Sequence, residues 1–363
     1  MANRGHEVTV LTSAQGNEAR VRSQNGVTVV EKRSLFTVSQ ARIAPGLVYA
    51  GLDLDFDIVH GHVGNPPAPF GALLYSIVRN IPLVISYHGD PQPGYGSHAR
   101  MAFVRAYMGA PLGLLIRRAD AVLLPSLEFL QDSQILGQLR KDYAELPNGV
   151  VPSLGDAPGK VDARRHLGLP CDEFLILYLG SLNPYKAPDI LLEATAILNR
   201  RDSAFRVVFA GDGILRESLM KRAARMGLEG RVRFEGYVPA SSKKIYFAAA
   251  DVFVLTSTMA QEVFPVTILE AFGAGLPVVV SDLNTFRRFV RPGENGLVVK
   301  RGNPDALAAA LLLLKQEESS RLRLAKGARA SASEFSWERI ATQAEVIYGR
   351  LSARKPRKTI VTP

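Results

Sequence analysis

The sequence predicts an α/β protein built as two doubly wound, Rossmann-like domains. Three observations carry this reading. Short runs of Val, Ile and Leu alternate with helical patterns, and continuous apolar strands of that kind belong to parallel sheets covered on both faces. The alternating series occurs twice. Between the two lies a stretch rich in Pro, Gly and Asp, residues 147–170, which reads as a boundary. The length of 363 residues agrees, at roughly 100 to 200 residues per domain.

The elements follow in order. Residues 1–5, Met-Ala-Asn-Arg-Gly, read as the last turn of a helix with Gly5 as its C-cap, leading into a strand at 6–12. A doubly wound domain opens with a strand, a Gly-rich turn and a helix, so this chain is expected to start one βα unit late, lacking the first strand and Gly-rich loop. The first strand series is 8–11, 58–60, 83–86 and 121–124. The second is 174–179, 206–210, 232–235, 252–256 and 278–281. A polar helix from about residue 317 precedes a last helix at 337–351, and the basic end of the chain reads as disordered. The expected organisation is a Rossmann-like domain over 1–155, a second over 156–335, a helix at 336–351 packing back on the first domain, and a tail at 352–363.

Composition narrows the function classes. The net charge is +10, from 44 Lys and Arg against 34 Asp and Glu. Residues 1–155 carry 13 basic and 12 acidic side chains and the remainder 31 and 22, so the excess belongs to the second half. Five of those positive charges stand in 350–363. No nucleic-acid-binding motif accompanies the charge, which excludes that partner class. The single cysteine, Cys171, excludes a disulfide framework and fits a reducing compartment. No run reaches 18 apolar residues and no signal-peptide core stands at the start, so the expected location is cytoplasmic.

Ligands of open parallel sheets sit beyond the carboxyl ends of the strands. Two loops there carry chemistry. Gly211-Asp212-Gly213 is a glycine turn opening a helix, able to bring amides to a phosphate or simply to make a tight turn. The second is 261–273, Gln-Glu-Val-Phe-Pro-Val-Thr-Ile-Leu-Glu-Ala-Phe-Gly. Pro265 suits the first position of a helix, which leaves the Val266 and Thr267 amides and the positive end of the helix dipole facing a ligand. Glu262 precedes that helix and Glu270 lies a turn and a half inside it. One carboxylate can hold sugar hydroxyls and the other a ribose. The plainer alternative is a dipole-favoured acid with a capping box, Thr267-x-x-Glu270.

These glutamates eight apart around Phe-Pro-Val, followed by Leu-Glu-Ala-Phe-Gly-Ala-Gly-Leu-Pro-Val-Val, resemble the signature of the retaining GT-B glycosyltransferases of family 4, the group 1 glycosyl transferases. Further segments are similar to family motifs in the same order: 57–62 (Asp-Ile-Val-His-Gly-His), 86–90 (Ser-Tyr-His-Gly-Asp), Pro125-Ser126, 146–150, 178–186, 210–213 and 234–238. The resemblance implies two domains facing a cleft, 1–155 on the acceptor side and 156–335 binding the nucleotide sugar, and transfer of a hexosyl group, with retention and without a metal. The donor is a nucleotide-diphosphate sugar and the acceptor a saccharide or lipid-linked molecule. No cofactor is implied beyond that co-substrate. Residue by residue, it implies that Lys186 binds the donor diphosphate and Glu262 the donor-sugar hydroxyls, with His88 near the reacting sugar. Glu270 would hold the ribose and Val238 the base through its backbone. Ser181, Gly211, Gly213, Phe264, Val266 and Thr267 complete the implied donor side.

The chain departs from that pattern at four places. Ser181 stands where the family has an arginine. Ala187 and Pro265 replace glycines, and Pro265 has no N–H to donate. Residues 284–288, Asn-Thr-Phe-Arg-Arg, replace Gly-Gly-x-Pro-Glu, and the first strand and loop are expected to be missing. Two other readings therefore stand beside the enzyme: a degenerate GT-B scaffold or partner subunit, and a sugar-nucleotide epimerase on the same fold. Asp53-Leu54-Asp55 has the form of a metal-binding D-x-D but precedes a strand, which makes it a solvated loop. His60, His62 and His88 could meet at adjacent strand ends and bind a metal, but with no carboxylate or cysteine at ligand spacing they read as polar cleft histidines. Residues 97–118 interleave Arg100, Arg105, Arg117 and Arg118 with apolar side chains. They read either as a helix lying on an anionic membrane or as one packed on its own sheet.

Overall fold

Backbone contacts divide the chain into two units. One comprises Met1–Leu146 with the last helix from Ala341, the other Pro147–Ile340. The computed structural model describes all residues except 17, 39–40, 65–66, 91–97, 140, 154, 156, 202–203, 260–261 and 355–363. Gln261, the start of the 97–118 stretch and the tail beyond residue 354 thus lie outside the described residues.

In the first unit, β1 (Val8–Ser13), β2 (Arg20–Gln24) and β3 (Val27–Lys32) form a sheet of order β1-β3-β2. Parallel β1–β3 pairing follows from their apolar runs. β2 is exposed at every position and carries no such run. Its turn to β3 is Asn25-Gly26, both at positive φ (51° and 76°), the two-residue hairpin geometry those residue types favour. A ladder of β4 (Phe36–Val38) and β5 (Ala41–Ile43) follows. The main sheet holds β6 (Val59–Val63), β7 (Leu83–Tyr87), β8 (Ala121–Leu124) and β9 (Tyr143–Glu145), all parallel and in chain order. β7 is buried at all five positions, as a strand covered on both faces must be. Helix α1 (Pro67–Arg79) packs on β6, and the basic apolar stretch is broken at Gly109 into α2 (His98–Met108) and α3 (Ala110–Arg118). Leu112, Leu115 and Ile116 of α3 are fully buried, so its apolar side faces its own unit, while Arg117 and Arg118 face water.

The second unit opens with α4 (Lys160–Leu167). It then alternates β10 (Phe174–Leu179), α5 (Pro188–Arg201), β11 (Phe205–Ala210), α6 (Arg216–Arg225), β12 (Val232–Gly236), α7 (Lys243–Ala249), β13 (Val252–Leu255), α8 (Val266–Gly273), β14 (Val278–Ser281) and β15 (Gly296–Val299). Helices α9 (Pro304–Gln316), α10 (Glu318–Ala332) and α11 (Trp337–Arg354) follow, α11 running across the boundary at Ala341. All six strands are parallel in the order β12-β11-β10-β13-β14-β15. That order reverses direction between β10 and β13, the switch point at whose carboxyl ends open parallel sheets bind their ligands. Beneath it, β10, β13 and β14 are buried along their whole length.

From Ala341 onward, α11 belongs to the first unit. Leu351 packs with Val84 of β7 and Leu123 of β8, and Glu345 receives Arg4 through both oxygens, at 2.8 and 2.5 Å. No helix among the described residues is long and apolar enough to cross a membrane.

Candidate functional site

The switch point of the second unit brings together side chains from β10 and β13 that the sequence separates widely. After β10 the chain makes a tight turn through Pro184–Lys186, closed by Ala187 at φ 43°, and this turn aims Lys186 inward. Buried Thr256, just past β13, pins it by donating to the carbonyls of Lys186 (3.0 Å) and Ala187 (2.8 Å), while the Thr258 amide donates to the Tyr185 carbonyl (3.0 Å). The Lys186 ammonium donates to Glu262 Oε2 and lies 5.4 Å from the Tyr185 ring centre. Both Lys186 and Glu262 are buried.

Hydroxyl side chains fix Glu262 in turn. Ser257 Oγ donates to its Oε2 at 3.2 Å, Thr285 Oγ1 to its carbonyl at 2.8 Å, and Ser281 Oγ to the carbonyl of Ser257. Thr256, Ser257, Ser281 and Thr285 are all buried and none was singled out from sequence. Their signal is a hydroxyl residue directly after an apolar strand, or in the first turn beyond it, where it can reach the neighbouring strand's loop.

Helix α8 starts one residue later than the sequence suggests. Pro265 is its N-cap, at φ −75° and ψ 96°, rather than its first residue. The first turn of a helix leaves its amides without intrahelical acceptors, so Val266 and Thr267 present N–H groups at the positive end of the dipole. The capping box does not form, because Pro265 holds the N-cap and Thr267 lies inside the helix; the Glu270 carboxylate instead accepts from Lys243 of α7, whose Nζ donates to both oxygens (3.0 and 3.2 Å). Lys243 is a further residue that the sequence did not reveal. The Phe264 ring packs edge-on against Phe289 and Phe335, at 5.1 and 6.3 Å between centres.

Three glycines make the floor beside Lys186. A Cβ on Gly211 would fall 1.9 Å from the Gly180 carbonyl oxygen, and one on Gly213 would fall 2.6 Å from that of Leu182, so the loops leaving β10 and β11 meet at a distance only glycine permits. Their backbones bond through Gly180 N–H to Ala210 (3.0 Å) and Leu182 N–H to Asp212 (2.9 Å). The Gly213 amide donates to Asp212 Oδ1 at 2.8 Å. Ser181 Oγ lies 3.4 Å from Tyr185 Oη, and its carbonyl accepts from the buried Tyr178 hydroxyl at 2.9 Å. Burial, with the Glu262 carboxylate nearby, holds the Tyr178 phenol well above its ordinary range and therefore protonated. Val238, just beyond β12, is buried.

In the first unit, His60, His62 and His88 gather at the ends of β6 and β7. His60 bonds Tyr348 Oη through Nδ1 (2.6 Å) and Ser86 Oγ through Nε2 (2.8 Å). His62 Nδ1 and His88 Nε2 are 2.9 Å apart. Burial first, then the neighbouring imidazoles, pushes His60 down to about 3 and His88 to about 4, and burial lowers His62 as well. Among the described residues, no group of three or more His, Cys, Asp or Glu is placed to hold a metal ion. The solvated Asp53-Leu54-Asp55 loop precedes β6.

Residues 160–331 match the model of the group 1 glycosyl transferases and residues 1–154 that of glycosyltransferase family 4. A D-inositol 3-phosphate glycosyltransferase of Thermomonospora curvata is 38% identical over 189 residues, 50% of this chain and 43% of that protein. The chain thus spans less than half of that relative. A phosphatidyl-myo-inositol mannosyltransferase of Mycobacterium leprae is 29% identical over 299 residues, 82% of this chain and 74% of the other. Among solved structures, a sucrose-phosphate synthase from Thermosynechococcus elongatus superposes with a TM-score of 0.77 at 20% identity, over 97% of this chain and 91% of the other. Anabaena HepE, solved with UDP and glucose, does so with 0.69 at 24% identity, over 90% and 86%. With both halves matched by family models and the Rossmann-like folding of each unit shared with those structures, the chain belongs to the group 1 glycosyl transferases of GT-B fold.

Proposed function

We propose that this protein transfers a hexosyl group from a nucleotide-diphosphate sugar to a saccharide or lipid-linked acceptor, with retention of configuration and without a metal ion. The observation that carries the reading is the pairing of Lys186 with Glu262 at the switch point, beside the amino end of α8. A cation next to free amides suits a diphosphate, and a carboxylate held by hydroxyls suits sugar hydroxyl groups. In the ligand-free protein the two neutralise each other. When the donor binds, its diphosphate takes the ammonium and Glu262 turns to the sugar.

As the bond from the sugar's anomeric carbon to the diphosphate oxygen breaks, negative charge grows on that oxygen, and Lys186 stabilises it more strongly than in the ground state. The acceptor oxygen bonds to the same face of that carbon, and its proton passes to the departing diphosphate. Glu270 holds the ribose and Val238 the base, Gly211 and Gly213 shape the floor, and His88 contacts the reacting sugar. These roles rest on the family resemblance. Relatives act on D-inositol 3-phosphate and phosphatidyl-myo-inositol by name, and the HepE structures hold UDP and glucose, which supports a nucleotide-sugar donor and a polyhydroxylated, saccharide-like or lipid-linked acceptor.

A second reading is a binding scaffold without turnover. It is favoured by Ser181 standing at the family's arginine position, where it bonds to Tyr185 and Tyr178 and supplies no second cation. Thermal unfolding with UDP-, GDP- and ADP-sugars, followed by product analysis with and without acceptor, separates the readings. Stabilisation with transfer supports the enzyme, and stabilisation alone supports the scaffold. Altered sugar with donor alone identifies an epimerase. No stabilisation by any of them refutes a nucleotide-sugar site.

A further inference from the structure

His60 and His62 are two apart on β6 and therefore share a face of the strand. The parallel register sets His60 opposite Val84 and His62 opposite Ser86. Each imidazole then reaches the residue two positions further along the neighbouring chain: His60 to Ser86, His62 to His88. The His62 and His88 rings are parallel within 4°, their centres 5.2 Å apart and their facing nitrogens 2.9 Å apart. The centre-to-centre distance equals the nitrogen separation plus two ring radii, so the nitrogens lie on the line of centres and within both ring planes. That is the geometry of one in-plane N–H···N hydrogen bond, since an imidazole lone pair lies in the plane of its ring. The other ring nitrogens take no part in it. On its other side His62 faces the His60 ring, 4.7 Å away and inclined by 17°, and His60 is itself fixed at both nitrogens by Tyr348 and Ser86.

We propose that His62 is the positioning residue of His88. It occupies His88 Nε2, fixes that ring's plane and tautomer, and leaves Nδ1 as the atom His88 presents to a ligand. One proton lies between the two facing nitrogens, and partial desolvation beside the neighbouring imidazoles disfavours a second on either ring, so His88 is held neutral, as a group facing a sugar hydroxyl rather than an anion. His60 serves as the brace behind His62. Only the consequence for turnover rests on the reading of His88 as a sugar contact.

The test uses the full chain with 15N-labelled histidine, whose six rings are few enough to assign one by one. Without any sugar nucleotide, long-range proton–nitrogen correlation of the wild-type protein is expected to show His88 as a single neutral tautomer. In His62→Phe the two His88 nitrogen shifts move towards the averaged values of a free imidazole, while His60 keeps its pattern and reports an intact fold. His62→Asn places an amide where Nδ1 stood and restores a single tautomer. In turnover assays His62→Phe lowers kcat on the order of ten- to a hundredfold with little change in donor KM, and His62→Asn recovers most of it. Averaged tautomers for wild-type His88, or His88 shifts unmoved by His62→Phe, would overturn the proposal. Absence of turnover with every nucleotide sugar refutes the transferase reading instead, and leaves the nitrogen spectra to decide the positioning role.

Discussion

Nζ of Lys186 donates to Oε2 of Glu262, a residue 76 positions further along the chain, and both side chains are buried. A pair of this kind is costly to break from one side, because the remaining charge stays buried without its partner. Glu262→Gln is therefore expected to lower stability by about 3 to 5 kcal/mol. The double variant Lys186→Met with Glu262→Gln should recover much of that loss. Urea titration of the two single variants and the double variant measures the coupling directly. Each single variant should also abolish transfer, and full activity in either would refute its assigned role.

The backbone beside this pair gives two opposite expectations. Gly211→Ala drives a Cβ to within 1.9 Å of the Gly180 carbonyl, and only main chain is there to yield. A loss of about 3 kcal/mol or more is expected. Ala187 stands at φ 43°, a left-handed conformation that costs a residue with a Cβ roughly 1 to 2 kcal/mol. Ala187→Gly should therefore stabilise the protein by up to about 1 kcal/mol after glycine's greater unfolded-state entropy is counted. Denaturation midpoints that move in the same direction would show that one of these two readings of the turn is wrong.

The strand plan was legible because buried parallel strands must be continuous apolar runs, and nine of them stand in the sequence where the structure has strands. Arg20–Gln24 was not legible, since an edge strand exposed at every position has no apolar signal. Glu262 and Glu270 were legible as a spaced pair, and Lys186 through the family resemblance of residues 178–186. The hydroxyls of Ser257, Ser281 and Thr285 and the ammonium of Lys243 were not, because their partners are fixed by which strands become neighbours, and local spacing does not contain that order. Thr267-x-x-Glu270 shows the converse. Its spacing fits a capping box, yet the helix is capped at Pro265, so Thr267 lies inside it and the carboxylate is left for a lysine from α7.

The histidine cluster makes stability depend on acid. Burial holds His60 near 3 and His88 near 4, and His62 below its ordinary 6.5, whereas the unfolded chain takes up these protons around 6.5. Below that pH the unfolded state binds more protons, so the contribution is complete above 6.5 and is lost as pH falls from 6.5 towards 4 and 3. Glu345, held down to about 2 by hydrogen bonds from Arg4 and His6, acts in a different window. Its stabilisation is present above 4.5 and declines towards 2. Urea midpoints between pH 7.5 and 4.5 should thus fall for the wild-type protein and fall less for His60→Gln, while Glu345→Gln alters the curve mainly below 4.5. An unchanged slope in His60→Gln would show that the ring is protonated in the folded state.

If Glu270 holds the ribose as proposed, its ion pair with Lys243 is the one that the ribose opens. Both are partly exposed, with 25% and 29% of their side-chain surface open to solvent, so their attraction is screened and contributes on the order of 0.2 to 1 kcal/mol. Displacing Lys243 therefore costs a ligand little, whereas losing the carboxylate removes a charge-assisted hydrogen bond of about 1.5 kcal/mol or more. Glu270→Gln is expected to weaken donor binding about tenfold. Lys243→Met should leave it unchanged or tighten it by up to about fivefold, because the ribose no longer competes with an ammonium. Titration calorimetry with the nucleotide diphosphate alone reads both changes without requiring an acceptor. Weaker binding in Lys243→Met would mean that this ammonium holds the nucleotide itself, so that the α7–α8 pair is part of the ligand's grip and not a latch that it releases.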